Sequence, residues 1–105
     1  MPYEISVTEI AEAQLRALTA REQRIVEEGI ASRLVSQPTT TSRALKKLRP
    51  NPLAGYELRL GNLRVLYNVD EAKSEVVILI VGHKVGNRLI VAGEEFHGHE
   101  DYPTA

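Results

Sequence analysis

Residues 46–70 read KKLRPNPLAGYELRLGNLRVLYNVD, and the order of residue types in this stretch decides the fold. Two runs rich in apolar residues, 56–60 and 63–70, flank the pair Gly61 and Asn62. Gly-Asn between such runs marks a two-residue hairpin turn, because glycine supplies the positive φ that the twist of the strands requires. A turn of that length fixes the register, so Leu60 faces Leu63 and Arg59 faces Arg64. Side chains alternate across a strand. Tyr56, Leu58, Leu60, Leu63, Val65 and Tyr67 are therefore expected on one face, and Glu57, Arg59, Arg64, Leu66 and Asn68 on the other, open face. Two guanidinium groups then stand side by side. Like charges directly opposite on a sheet destabilise it, so a bound phosphate or the Glu57 carboxylate must compensate.

Upstream of the hairpin, Pro50 and Pro52 forbid a continuing helix. Residues 45–49 are expected as a short helical turn or a strand entry, and residues 37–44 as a polar loop. Further back, Val26, Ile30 and Leu34, supported by Ile25, form a helical stripe that stops before Pro38. Thr19 and Glu22 have capping-box spacing and start that helix. Ala11, Leu15 and Leu18 predict an earlier helix, capped by Thr8 with Glu9 in its first turn. Tyr3, Ile5 and Val7 alternate with polar residues and predict a strand.

Downstream, residues 70–75 predict a looser turn, and the aliphatic run from Val76 to Val81 a central strand buried on both faces. His83, Lys84, Gly86 and Asn87 read as a polar turn, and Arg88 to Val91 as a short edge strand. The expected fold is α+β: an N-terminal strand, a helical hairpin and an antiparallel β-meander, in the order β-α-α-β-β-β. Residues 1–92 form the domain and residues 93–105 an acidic C-terminal tail.

Composition narrows the function. A chain of 105 residues with 43% hydrophobic and 26% charged residues is sized for one globular core. It has no cysteine, which excludes disulfides, thiol catalysis and cysteine-bound zinc. No apolar run has the length of a membrane span, and no basic-plus-apolar leader opens the chain, so a cytoplasmic protein without membrane contact is expected. The net charge of −1 conceals a segregation. Residues 42–68 carry six bases (Arg43, Lys46, Lys47, Arg49, Arg59 and Arg64) against Glu57 alone, a local charge of +5. The remaining residues carry −6. This separation points to a polyanion site on an otherwise acidic protein, although surface charges also cluster by chance.

With the helical hairpin, the lysine-rich entry, YELRLGNLRVLYNVD and an aliphatic strand ending in VGHK in view, the chain resembles the RelE/ParE toxin superfamily of bacterial type II toxin–antitoxin systems. The resemblance runs from Tyr3 to about Lys84 and is strongest at Arg59, Arg64 and Tyr67. It implies a small toxin held by a cognate antitoxin protein. The RelE-like branch cleaves mRNA on the ribosome without a metal or other cofactor. The ParE-like branch poisons DNA gyrase and is not a nuclease. A catalytically degenerate homologue that only binds its antitoxin is the third alternative.

Metal-free RNA cleavage requires a base for the 2′-hydroxyl, cations for the phosphorane and an acid for the leaving 5′-oxygen. Arginine pairs suit the second task because their planar forks grip phosphate. Arg59 and Arg64 are assigned to it. The resemblance adds Lys84 as the match to a basic catalytic residue after the last strand. His83, beside it, is a candidate for proton transfer by its residue type, but a turn histidine facing water is an equal expectation. Lys84 on its bland reading meets solvent or a carboxylate. Arg43, Lys46, Lys47 and Arg49 are expected to contact RNA phosphates, or else to form a solvated face. Two features depart from the RelE pattern: Glu57 stands where the branch has a second base, and no tyrosine follows Lys84 closely. Tyr102 lies too far along, and Tyr67 is expected in the core with its hydroxyl satisfied. His97, His99 and Glu100 lack helix-based metal spacing. Gly82, Gly86 and Gly93 make no nucleotide fingerprint, since no helix follows them.

Overall fold

The computed structural model describes residues 2–96. Chain order is β1 (Glu4–Val7), α1 (Glu9–Arg16), α2 (Ala20–Gly29), a π-helical turn (Ile30–Leu34), β2 (Leu45–Lys47), β3 (Tyr56–Leu60), β4 (Leu63–Asp70), β5 (Glu75–Val85), β6 (Arg88–Val91) and β7 (Glu94–Glu95). This is the expected α+β fold. His97, His99, Glu100 and Tyr102 lie outside the described residues.

Both helices start as their capping residues dictate. Thr8 Oγ1 accepts from the Ala11 N–H at 3.1 Å. At α2, Thr19 Oγ1 accepts from the Glu22 N–H at 3.1 Å, and Glu22 Oε1 accepts from the Thr19 N–H at 3.0 Å. The stripe Val26, Ile30, Leu34 reads as one α-helix, but its last turn opens into a π turn. The change follows Gly29 directly. There α2 presses so closely on the sheet that a Cβ would lie 2.6 Å from Leu60 Cδ1. Leu34 beyond it is fully buried.

The described residues form a sheet in the order β2-β3-β4-β5-β6-β7. β1 lies outside that path and runs parallel to the first half of β5, pairing Glu4 with Glu75 and Val7 with Ile78. β6 occupies the same edge of β5 farther along, from His83 to Val85. Between them β5 has no strand neighbour on that side, and the Gln14 side chain of α1 accepts the Val81 N–H at 2.9 Å. A buried donor is thereby satisfied without a strand.

The hairpin forms in the expected register, Arg59 opposite Arg64 and Leu60 opposite Leu63, with Gly61 at φ 63°. Ala11, Val26, Leu34, Leu58, Val65 and Tyr67 belong to the core between helices and sheet. Tyr67 stacks on Tyr56 with ring centroids 5.6 Å apart and donates its hydroxyl to the Pro38 carbonyl at 2.7 Å.

Two expectations need correction. The opposite sheet face is not open throughout, because Leu48, Ala54, Leu66, Ile80, Leu89 and Val91 make a second apolar cluster there, and Phe96 packs against it. Of the two alternatives for residues 45–49, the structure takes the strand, with residues 45–47 paired to β3. His83 and Lys84 are not in a turn. β5 continues through Val85, and only Gly86 and Asn87 turn. The sheet also runs on through β7, within the stretch expected as tail.

Candidate functional site

The arginine face of the sheet is assembled by register. Lys46 pairs with Glu57, and Glu57 with Leu66. Arg59 pairs with Arg64, and Arg64 with Gly82. Residues paired across strands share a face, so Lys46, Glu57, Arg59 and Arg64 stand together. Lys84, two residues beyond Gly82, joins them. Its backbone N–H binds the Asn62 carbonyl at 2.8 Å, beside the hairpin turn.

A β-bulge determines that it is Lys84 rather than His83 that reaches this face. Leu66 pairs with Ile80 and Tyr67 with Ile78, which leaves Leu79 as an extra residue on β5. An extra residue reverses the in–out alternation beyond it. Ile78 and Val81 accordingly enter the helix-side core, whereas Leu79 and Ile80 both enter the second cluster. His83 then pairs with Leu63 and faces the helices. Its Nε2 lies 2.8 Å from Glu22 Oε2. The structure therefore separates His83 from Arg59, Arg64 and Lys84, to which the sequence joined it.

Glu57 is 2% exposed and receives Arg59 Nε at 2.6 Å. It is the buried charged residue of the described chain. It supplies the compensation that the like-charge pair demands. Arg64 bends back over its own turn, with Nη1 donating to the carbonyls of Gly61 at 2.7 Å and Leu63 at 2.9 Å. Its Nε is buried without a hydrogen-bond partner among the described residues. Burial lowers the Arg64 pKa, Glu57 opposes that effect and Arg59 adds to it. Arginine starts so high that the group stays charged at neutral pH. The carbonyls of Gly61 and Leu63 thus hold the half-buried guanidinium over the turn through Nη1, while its Nε donor has no acceptor among the described residues.

The other predicted cations are dispersed. Arg43 is exposed in the bend before β2. Lys47 is exposed and pairs with Tyr56, away from the arginines. Arg49 is exposed in the proline loop. Asn51 holds this loop through four hydrogen bonds. Its Oδ1 accepts from the N–H groups of Leu53 at 2.7 Å and Ala54 at 3.1 Å. Its Nδ2 donates to the carbonyls of Arg49 at 2.5 Å and Ala54 at 2.9 Å. The described residues contain no cluster of histidines and carboxylates fit for a metal ion. They also contain no helix long and apolar enough to cross a membrane.

Sequence reasoning missed the double role of Glu22, whose two oxygens serve the α2 cap and His83. The capping pattern was visible, but nothing in the sequence tied residue 22 to residue 83. It also missed Lys46 as a member of the arginine face, because the pairing of residues 45–47 was undecided.

No family model matches the sequence, and no curated protein matches it significantly. Solved structures do. A chain of a RelBE toxin–antitoxin complex from Mycobacterium tuberculosis superposes with a TM-score of 0.70 at 32% identity, covering 80% of this chain and 93% of that one. This chain belongs to the RelE/ParE toxin superfamily. The isolated RelE toxin of E. coli is similar at 25% identity with a TM-score of 0.64, over 79% of this chain and 85% of that one. An archaeal RelE–RelB complex from Pyrococcus horikoshii shares the fold at 24% identity with a TM-score of 0.65, over 79% and 96% of the two chains. Within the RelE/ParE superfamily the present chain is a RelE-like toxin.

Proposed function

We propose that this RelE-like toxin is a cytoplasmic, ribosome-dependent mRNA endonuclease, controlled by a cognate antitoxin. The supporting observation is the cation cluster of Lys46, Arg59, Arg64 and Lys84 on one face of a protein whose net charge is −1. Arg64, with its unpartnered buried Nε, is assigned to the phosphorane. Arg59 shares that charge after swinging from Glu57. Lys84 is assigned to the leaving 5′-oxygen. These side chains supply the charge stabilisation and the acid of a cleavage that calls on no metal or cofactor, and the base for the 2′-hydroxyl is not among them. Lys46 guides the RNA backbone toward them, and Arg43, Lys47 and Arg49 extend the phosphate contacts. An antitoxin partner is supported by the similar chains found in toxin–antitoxin complexes.

A second reading has its own observation. Glu57, the buried carboxylate of this face, is committed to Arg59, and His83 is turned toward the helices. That arrangement leaves the general base unassigned and favours a ParE-like gyrase inhibitor or a degenerate homologue. Translation in vitro separates the readings. The wild-type protein should cleave ribosome-bound mRNA, and Arg64→Ala should reduce cleavage at least about 100-fold. Intact mRNA together with loss of gyrase supercoiling would establish the second reading.

A further inference from the structure

The proline loop and the end of the β2–β3 pair form a cleft of about 280 Å³, in which only Lys47 and Arg49 have been given a role so far, as phosphate contacts. Its walls include Lys47, Arg49, Pro50, Asn51, Tyr56 and Asn68, and no carboxylate. On a chain with 14 acids, a cleft lined by two exposed cations and no acid selects an anion. Its volume is at the small end for ligand sites, suited to one flat group rather than an extended molecule.

Two features make the site rigid. Asn51 spends both amide ends on the backbone of its own loop. Asn68 Oδ1 accepts the Gly55 N–H at 2.7 Å, which fixes its amide and leaves Nδ2 as an oriented donor. Tyr56 is half-buried, backed by the stacked ring of Tyr67, and its cross-strand neighbour on the other side is Lys47. A supported aromatic ring, a fixed amide donor and two cations match a base, its polar edge and its phosphates. Aromatic faces accept any base by stacking.

The cleft also adjoins the arginine face. Lys46 and Lys47 are consecutive on β2 and point to opposite faces. Tyr56 precedes Arg59 by three positions on β3, about 10 Å along the strand. A single strand can therefore cross the β2 edge from one site to the other.

The geometry points to a nucleotide subsite at Tyr56, which stacks one base of single-stranded RNA while Lys47 and Arg49 hold its flanking phosphates. The inference rests on the RNA reading proposed above and adds the base contact. The test uses wild-type protein and a short RNA carrying 5-iodouracil, whose photo-crosslink is mapped by mass spectrometry. The crosslink should fall on Tyr56. An abasic nucleotide at the crosslinking position should weaken binding roughly 5- to 30-fold, as should Tyr56→Leu. Asn68→Ala should weaken it less. The wild-type crosslink needs no variant, so a folding defect in Tyr56→Leu does not obscure the result. If Arg64→Ala abolishes binding while crosslinks fall elsewhere and the abasic RNA binds normally, the subsite is wrong and the RNA reading stands. If the wild-type protein binds no RNA, the subsite falls, while the ribosome-dependent reading is decided separately by cleavage of ribosome-bound mRNA.

Discussion

The Glu57 carboxylate, almost wholly shielded from water, holds Arg59 Nε at 2.6 Å in the middle of a cation cluster. It is the resident counter-charge of a face that carries Lys46, Arg59, Arg64 and Lys84. Without it Arg59 and Arg64 would repel each other across the hairpin. With it, one of the two is already occupied before any phosphate arrives. Replacing Glu57 by Gln keeps the shape and removes the charge. RNA or polyphosphate binding should tighten about three- to tenfold, with a steeper salt dependence, as one more cation is released for phosphate. Stability should fall by about 1–3 kcal/mol, the worth of a hydrogen bond to a charged group. Filter binding across a salt series and urea melts measure the two effects. Unchanged affinity in a folded variant would remove Glu57 from control of the site.

Lys84 and His83 are adjacent in sequence and opposed in space, so their substitutions should have different consequences. Lys84→Ala should lower mRNA cleavage about 10- to 100-fold with little change in melting temperature. His83→Ala should leave cleavage within about threefold and lower the melting temperature, because it removes the tie from β5 to α2. The reverse pattern in cleavage and melting assays would show that the bulge does not hold in solution.

That bulge also marks where the sequence stops being legible. The Arg59–Arg64 register could be read because a Gly-Asn turn leaves no freedom, and both helix starts because Thr8, Thr19 and Glu22 are local signals. The face of Lys84 could not be read. From Val76 to Val81 every side chain is aliphatic, and both faces of the strand are buried. Such a run contains no polar residue to report its phase, so the extra residue at Leu79 leaves no mark. The second apolar cluster was equally hidden. It combines residues as far apart as Leu48 and Val91, which only the pairing of β6 with β5 and the placement of the proline loop bring together. The parallel pairing of β1 with β5 depends on the same long-range arrangement.

Glu22 should make stability depend on acid pH. Hydrogen bonds from His83 and from the Thr19 backbone hold its carboxyl below the usual 4.5. A carboxylate whose pKa is lower folded than unfolded stabilises the fold above the unfolded value. That contribution disappears as pH falls through the folded value. Glu22→Gln retains the cap geometry but not the charge. Its melting temperature should lie below that of the wild type at neutral pH, and the gap should close in the acid range under 4.5. A gap that persists at the acid end would assign the effect to packing.

Tyr67 should behave as a structural residue. Burial pushes its hydroxyl well above the usual tyrosine range, so it remains a neutral donor, and that donor serves the Pro38 carbonyl at 2.7 Å. Tyr67→Phe keeps the stack on Tyr56 and leaves a buried carbonyl unpaired. The expected cost is about 1–2 kcal/mol in urea unfolding, with mRNA cleavage unaltered. Loss of cleavage without loss of stability would instead place the Tyr67 hydroxyl in the chemistry.

Gly82 carries the sharpest steric prediction. It stands opposite Arg64 on β4, and a Cβ there would lie 2.5 Å from the Ile90 carbonyl oxygen and 2.9 Å from Val91 Cγ2. A side-chain neighbour could move aside, but the carbonyl belongs to the backbone of β6. Gly82→Ala should push β6 away from β5, open the cluster around Leu89 and Val91, and lower stability by about 1–3 kcal/mol. Because β6 pairs with Lys84 through Leu89, cleavage should fall as well, even at temperatures where the variant stays folded. Amide exchange localises the damage: faster exchange confined to residues 82–91 is expected, whereas uniform acceleration across the sheet would mean that β6 is no separate unit.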